Sequence, residues 1–67
     1  MEREPVISSN ISSVGYDPSS ETLEIEFTNG SVYEYCGVPY EEYLELMDAG
    51  SIGEYFHQHI RNSYPYS

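Results

Sequence analysis

The chain has no lysine, only two arginines and a single cysteine among its 67 residues. Each shortage excludes something. One thiol, Cys36, closes no internal disulfide, so no covalent staple holds the fold. One cysteine and two histidines are too few for a structural zinc site. No run of about 18 apolar residues occurs, so no membrane-spanning segment is expected. No N-terminal basic and apolar run reads as a signal peptide, and a cytoplasmic location is expected. Two cations against 12 acids leave a formal net charge of -10. Leu, Ile, Val and Phe number 14 of 67 residues. That is just above the roughly 20% below which a highly charged chain stays disordered. Eight tyrosines must therefore supply part of any core.

The length allows one small domain. A chain this short buries only about 60% of the surface its unfolded form exposes. An enzyme needs a concave, water-excluding site with positioned groups, and few residues remain to build one. The expectation is a non-catalytic, monomeric binding module without a cofactor.

Residues 1–5 read as a loose terminus and residues 6–67 as the domain. Ile11, Val14 and Tyr16 mark a strand over 11–17, closed by Asp17-Pro18-Ser19-Ser20. Asp at the first position of a turn and Pro at the second preset that reversal. Thr22 to Thr28 is the clearest strand, with Leu23, Ile25 and Phe27 alternating with Glu24 and Glu26. Asn29-Gly30 then leads into Ser31 to Cys36. A two-residue turn would put Glu34 among the apolar side chains. A three-residue loop, Thr28-Asn29-Gly30 with Gly30 left-handed, shifts the pairing by one. Ile25 then faces Tyr33 and Leu23 faces Tyr35, and Glu24, Glu26 and Glu34 gather on the other side.

Pro39 suits a helix start. Tyr40, Tyr43, Leu44 and Met47 follow at helical spacing, and Gly50 is expected to end that helix. Ser51-x-x-Glu54 is a capping box. It opens a second helix with Ile52, Tyr55, Phe56, His59 and Ile60 on one face. The architecture expected is α+β: a three-stranded antiparallel meander followed by two short helices packed on one face.

In order along the chain, Ser9-x-Ile11, Gly15-Tyr16-Asp17, Leu23-x-Ile25-x-Phe27-x-x-Gly30, Tyr33-x-Tyr35, Val38-Pro39 and Gly53-x-Tyr55-Phe56 with Ile60 resemble the KTSC domain. That family is named after a segment at the C-terminus of some lysyl-tRNA synthetases and also occurs as small bacterial proteins. The resemblance runs from about Val6 to Tyr66. Its central mark is the Tyr-x-Tyr, here Tyr33-Glu34-Tyr35. It implies a domain of unestablished function for which RNA binding has been suggested. Two residues depart from the pattern. Glu34 stands where a basic residue is common inside the Tyr-x-Tyr, and Ile52 where Lys is common before the glycine of the second helix.

Tyr33, Tyr35 and Arg61 are the candidate binding residues on that resemblance. The tyrosines either stack on unpaired bases or belong to the core with their hydroxyls reaching a partner; the strand register favours the core. Phosphate recognition needs cations, and a net charge of -10 disfavours RNA. His57-x-His59 is a poor metal pair, since residues two apart on a helix point about 200° away from each other. Cys36 lies in acidic surroundings that suit a spectator better than a nucleophile. The carboxylates of Glu24, Glu26 and Glu34 form an acidic face, either for solubility alone or for docking a basic protein partner.

Overall fold

The computed structural model describes residues 1–67. Its four strands are β1 (Arg3–Pro5), β2 (Ile11–Asp17), β3 (Thr22–Phe27) and β4 (Val32–Tyr35). Two helices follow: α1 (Tyr40–Asp48) and α2 (Ile52–Tyr55), the latter widening into a π turn over Phe56–Ile60. The α+β class is as expected, but the sheet has four antiparallel strands in the order β1-β2-β3-β4, not three.

The extra strand is Arg3–Pro5, inside the segment expected to be loose. It has no apolar alternation, so no periodicity marks it. Tertiary contacts hold it instead. Arg3 pairs with Gly15 across the strands. Its Nε donates to Ser13 Oγ at 3.0 Å, and its Nη1 meets Glu24 Oε1 at 2.7 Å. Gly15 makes this approach possible. A Cβ there would lie 2.8 Å from the Glu2 carbonyl oxygen and 3.0 Å from Arg3 Cγ. Gly15→Val is therefore expected to lift β1 off the sheet at a cost of about 1–3 kcal/mol. Amide exchange at residues 3–5 should accelerate and the urea midpoint should fall. Unchanged exchange there would refute the steric argument.

β2 carries a bulge: Ile11 pairs with Phe27 but Ser13 pairs with Glu26, leaving Ser12 extra. This explains how Ile11 and Val14, three apart, both reach the core. In the β2–β3 turn, Asp17 Oδ1 accepts from the Ser19 hydroxyl at 2.7 Å and the Ser19 backbone N–H at 3.0 Å. Those donors, the hydroxyl first, hold the Asp17 carboxyl below its usual range.

The β3–β4 hairpin takes the three-residue loop. Leu23 faces Tyr35 and Ile25 faces Tyr33, while Glu24 faces Glu34. Gly30 has φ +92°, a value that suits glycine.

The helices differ from expectation in detail. α1 turns Leu46 inward (0% exposed) with Tyr43 and Met47 against the core, while Leu44 stays 46% exposed. The expected Tyr40-Tyr43-Leu44-Met47 stripe is thus rotated toward Leu46, and Tyr43, common to both stripes, stacks on Tyr16 of β2 with ring centroids 4.8 Å apart at 13°. Gly50 is not left-handed; only Gly30 and Gly37 among the glycines have positive φ. The helix ends one residue earlier, at extended Ala49, whose N–H bonds the Leu46 carbonyl. Ser51 caps α2 as expected, its Oγ accepting from the Glu54 N–H at 3.2 Å.

Nine buried residues form the core between sheet and helices: Ile11, Val14, Leu23, Ile25, Tyr35, Val38, Leu46, Phe56 and Ile60. The tail after the π turn returns along the outer edge of β4. Glu34 and Ser67 exchange backbone hydrogen bonds at 3.0 Å, and Cys36 N–H donates to the Pro65 carbonyl at 2.9 Å. That edge strand is thereby covered.

Candidate functional site

At the mouth of the β3–β4 hairpin lies the single cavity of the molecule, about 260 Å³ in volume. Its aromatic walls are Phe27 of β3, Tyr33 and Tyr35 of β4, and Phe56 of the π turn. Its polar rim is Asn10, Asn29 and Ser31 from the loops, with His57 and Arg61 from the end of the helical layer. The three residues singled out on the family resemblance, Tyr33, Tyr35 and Arg61, meet here, and Glu24, Glu26 and Glu34 do not line it.

The strand register explains the tyrosines. Both lie on the apolar face of the sheet, but at different depths. Tyr35 is 2% exposed and belongs to the core, whereas Tyr33 is 38% exposed and stands at the opening. Tyr66 of the tail stacks on Tyr33, with centroids 5.2 Å apart at 4°, and touches Tyr35 at 5.4 Å. Phe56 meets Phe27 at 5.6 Å and Tyr35 at 5.4 Å, both edge to face. Phe27 meets Tyr33 edge to face at 5.7 Å. These five rings close a circuit of contacts that fixes the wall in place. Burial pushes the Tyr35 phenol above its usual value; Tyr66 and Tyr33 reinforce this and the Arg61 charge opposes it.

The π turn sets the rim. The Arg61 N–H reaches back five residues to the Phe56 carbonyl at 3.0 Å. His57 and Arg61 thus lie side by side, with Nδ1 and Nη1 3.0 Å apart. A guanidinium nitrogen only donates, so His57 Nδ1 accepts.

The acidic face is less open than its sequence suggested. Glu24 is paired with Arg3 and its side chain is 13% exposed. Glu26 accepts from Ser13 Oγ at 2.8 Å. Glu34 is exposed. Elsewhere, the Tyr55 hydroxyl lies 2.8 Å from Glu42 Oε2 and 3.0 Å from Glu45 Oε2. His59 packs its ring on Tyr55 and is exposed, not buried. Cys36 is an exposed free thiol. No three His, Cys, Asp or Glu side chains gather as a metal site. No helix is long and apolar enough to cross a membrane.

Sequence reasoning did not find Asn10, Asn29, Ser31 and Phe56 as parts of one site. Phe56 read as core, Asn29 as hairpin turn and Ser31 as the start of a strand. Nothing local tells a loop asparagine that lines a cavity from one that faces water.

The model of the KTSC domain matches residues 7–64. A small protein of Stutzerimonas stutzeri is 43% identical over 58 residues, covering 87% of this chain and 82% of that protein. A lysine–tRNA ligase of Nostoc sp. is 45% identical over 51 residues, covering 76% of this chain; the chain spans only 9% of that enzyme. The crystal structure of a KTSC domain protein from Yersinia pestis superposes with a TM-score of 0.96 at 39% identity, covering 98% of this chain and 93% of that one. No catalytic activity is indicated for the family, whose function is not established. From the Tyr-x-Tyr hairpin to the matched span and the superposed fold, the chain belongs to the KTSC domain family.

Proposed function

We propose that this chain is a non-catalytic protein-binding module whose contact surface is the aromatic cavity. The observation that carries the reading is the convergence of Tyr33, Tyr35 and Arg61 on one opening. An exposed tyrosine, Tyr33, beside an arginine supplies the residue types that dominate binding energy at protein contacts. The acidic residues Glu24, Glu26 and Glu34 lie on the opposite face of the sheet, and two of them are engaged internally. They serve solubility more than docking. On this reading the domain acts as a monomer in the cytoplasm and needs no cofactor.

RNA binding is the second reading. The relatives that are lysine–tRNA ligases favour it, and Tyr33 offers a ring for stacking. Net charge opposes it: a chain at -10 repels a polyanion, and only two cationic side chains are present to offset this.

The test is retention from a bacterial lysate by immobilised wild type and Tyr33→Ala, with and without ribonuclease. Tyr33 is partly exposed, so its truncation leaves the core filled. A protein retained by wild type, lost with Tyr33→Ala and insensitive to ribonuclease is the expected result. Retention abolished by ribonuclease, with tRNA affinity falling steeply with salt, would establish the RNA reading instead. Identical retention by both proteins would remove the cavity from the function.

A further inference from the structure

Arg3 and Arg61 are the only lysine or arginine side chains in the molecule, and they are used differently. Arg3 is spent on Glu24, the single ion pair of the fold. Arg61 has no carboxylate partner although the chain carries 12 acids. It lines the aromatic cavity and donates one N–H to His57. Its other N–H groups remain, and the His57 ring lies beside it at the rim. The site therefore joins an aromatic wall to a patch of donors carrying the one uncompensated side-chain positive charge.

Charge complementarity calls for an anion at that rim. A planar guanidinium suits a carboxylate, which accepts two parallel hydrogen bonds from it. Size and charge narrow the ligand further. At about 260 Å³ the cavity is just under the roughly 300–1,000 Å³ of pockets for drug-sized ligands. It takes one ring or one branched side chain. A single-stranded nucleic acid brings a phosphate with every nucleotide to a surface whose formal charge is -10. A protein C-terminus brings one carboxylate. That carboxylate hangs from the same Cα as the last side chain, so ring and charge enter a single small cavity together.

We propose that the cavity binds the C-terminal residue of a partner protein. An apolar or aromatic side chain seats on Tyr33 and Phe56, and the terminal carboxylate takes the free N–H groups of Arg61. The proposal rests on the reading of the cavity as the contact surface of a protein-binding module. It adds the chemistry that the cavity recognises.

Two probes separate the charge from the ring: N-acetyl-L-phenylalanine, with a free carboxylate, and its carboxamide. Each is titrated into the isotope-labelled chain and followed by NMR. The acid is expected to bind at least about tenfold tighter than the amide, the margin that hydrogen bonds to a charged group supply. Shifts should cluster at Tyr33, Phe56, His57 and Arg61. Arg61→Gln should erase the difference, with the amide spectrum elsewhere unchanged as the check that the fold persists. Equal binding of acid and amide at the cavity would overturn recognition of the carboxylate while sparing the protein-binding reading. No response to either probe would overturn the proposal, and the Tyr33-dependent retention above then judges the broader reading independently. A single-stranded oligonucleotide that moves the same resonances at lower concentration than the acid would overturn both in favour of RNA.

Discussion

Phe56→Ala is expected to cost about 3–5 kcal/mol, the range for deleting a buried aromatic ring. Phe56 joins the two layers: it is buried, lies in the π turn, and meets Phe27 of β3 and Tyr35 of β4 through its edges or face. A domain of 67 residues at about 0.05–0.15 kcal/mol per residue has roughly 3–10 kcal/mol in all. The loss is therefore a large share of the total, and the variant should be substantially unfolded at moderate temperature. Circular dichroism and urea titration measure this directly. Phe56→Leu, which keeps most of the volume, should recover most of the stability. A loss below about 1 kcal/mol for Phe56→Ala would mean that the helical layer is held elsewhere. Because Phe56 also lines the cavity, its substitution cannot separate folding from binding. Tyr33 and Arg61, both exposed, serve that purpose.

Alkaline unfolding is the second large effect expected. Burial raises the phenols of Tyr16, Tyr35, Tyr43, Tyr55 and Tyr64 above the ordinary tyrosine value. Tyr55 is raised furthest, by burial and then by its hydrogen bonds to Glu42 and Glu45. A phenol with a higher pKa in the folded state holds its proton there more tightly than in the unfolded chain. Its contribution is complete below the unfolded value of about 10 and is lost as pH rises through the folded values. Each phenolate formed also adds to a charge of -10 that already repels itself. Above about pH 10 the fold should collapse cooperatively, with phenolate absorbance and loss of circular dichroism moving together. Phenolate absorbance that rises through this range while the dichroism stays native would show that the rings ionise in place, and would contradict the coupling of their protons to the fold.

Much of the β-layer was legible along the chain. Leu23, Ile25 and Phe27 have one apolar face, and a slip of one residue would have buried Glu34. That alone placed Tyr33 and Tyr35 opposite Ile25 and Leu23, as found. The Ser51 cap and the Asp17 turn were legible because each is made by residues within three positions of one another. The face of α1 was not. A nine-residue helix with Tyr40, Tyr43, Leu44, Leu46 and Met47 carries two overlapping apolar stripes, and packing on the sheet decided between them by burying Leu46 and leaving Leu44 exposed.

The sequence by itself determined the α+β class, the hairpin register, the Ser51 cap and the shortage of positive charge. Those follow from side-chain period, from turn chemistry and from counting. Tertiary structure alone decided that Arg3–Pro5 is a strand, that Arg3 pairs with Glu24, and that Tyr35 is core while Tyr33 stands at an opening. It alone gathered Asn10, Asn29, Ser31, Phe56, His57 and Arg61 around the two tyrosines. These residues are up to 51 positions apart, from Asn10 to Arg61. No local period or spacing links the loop and strand residues to the His57–Arg61 pair, because that proximity comes from the packing of the helical layer on the sheet.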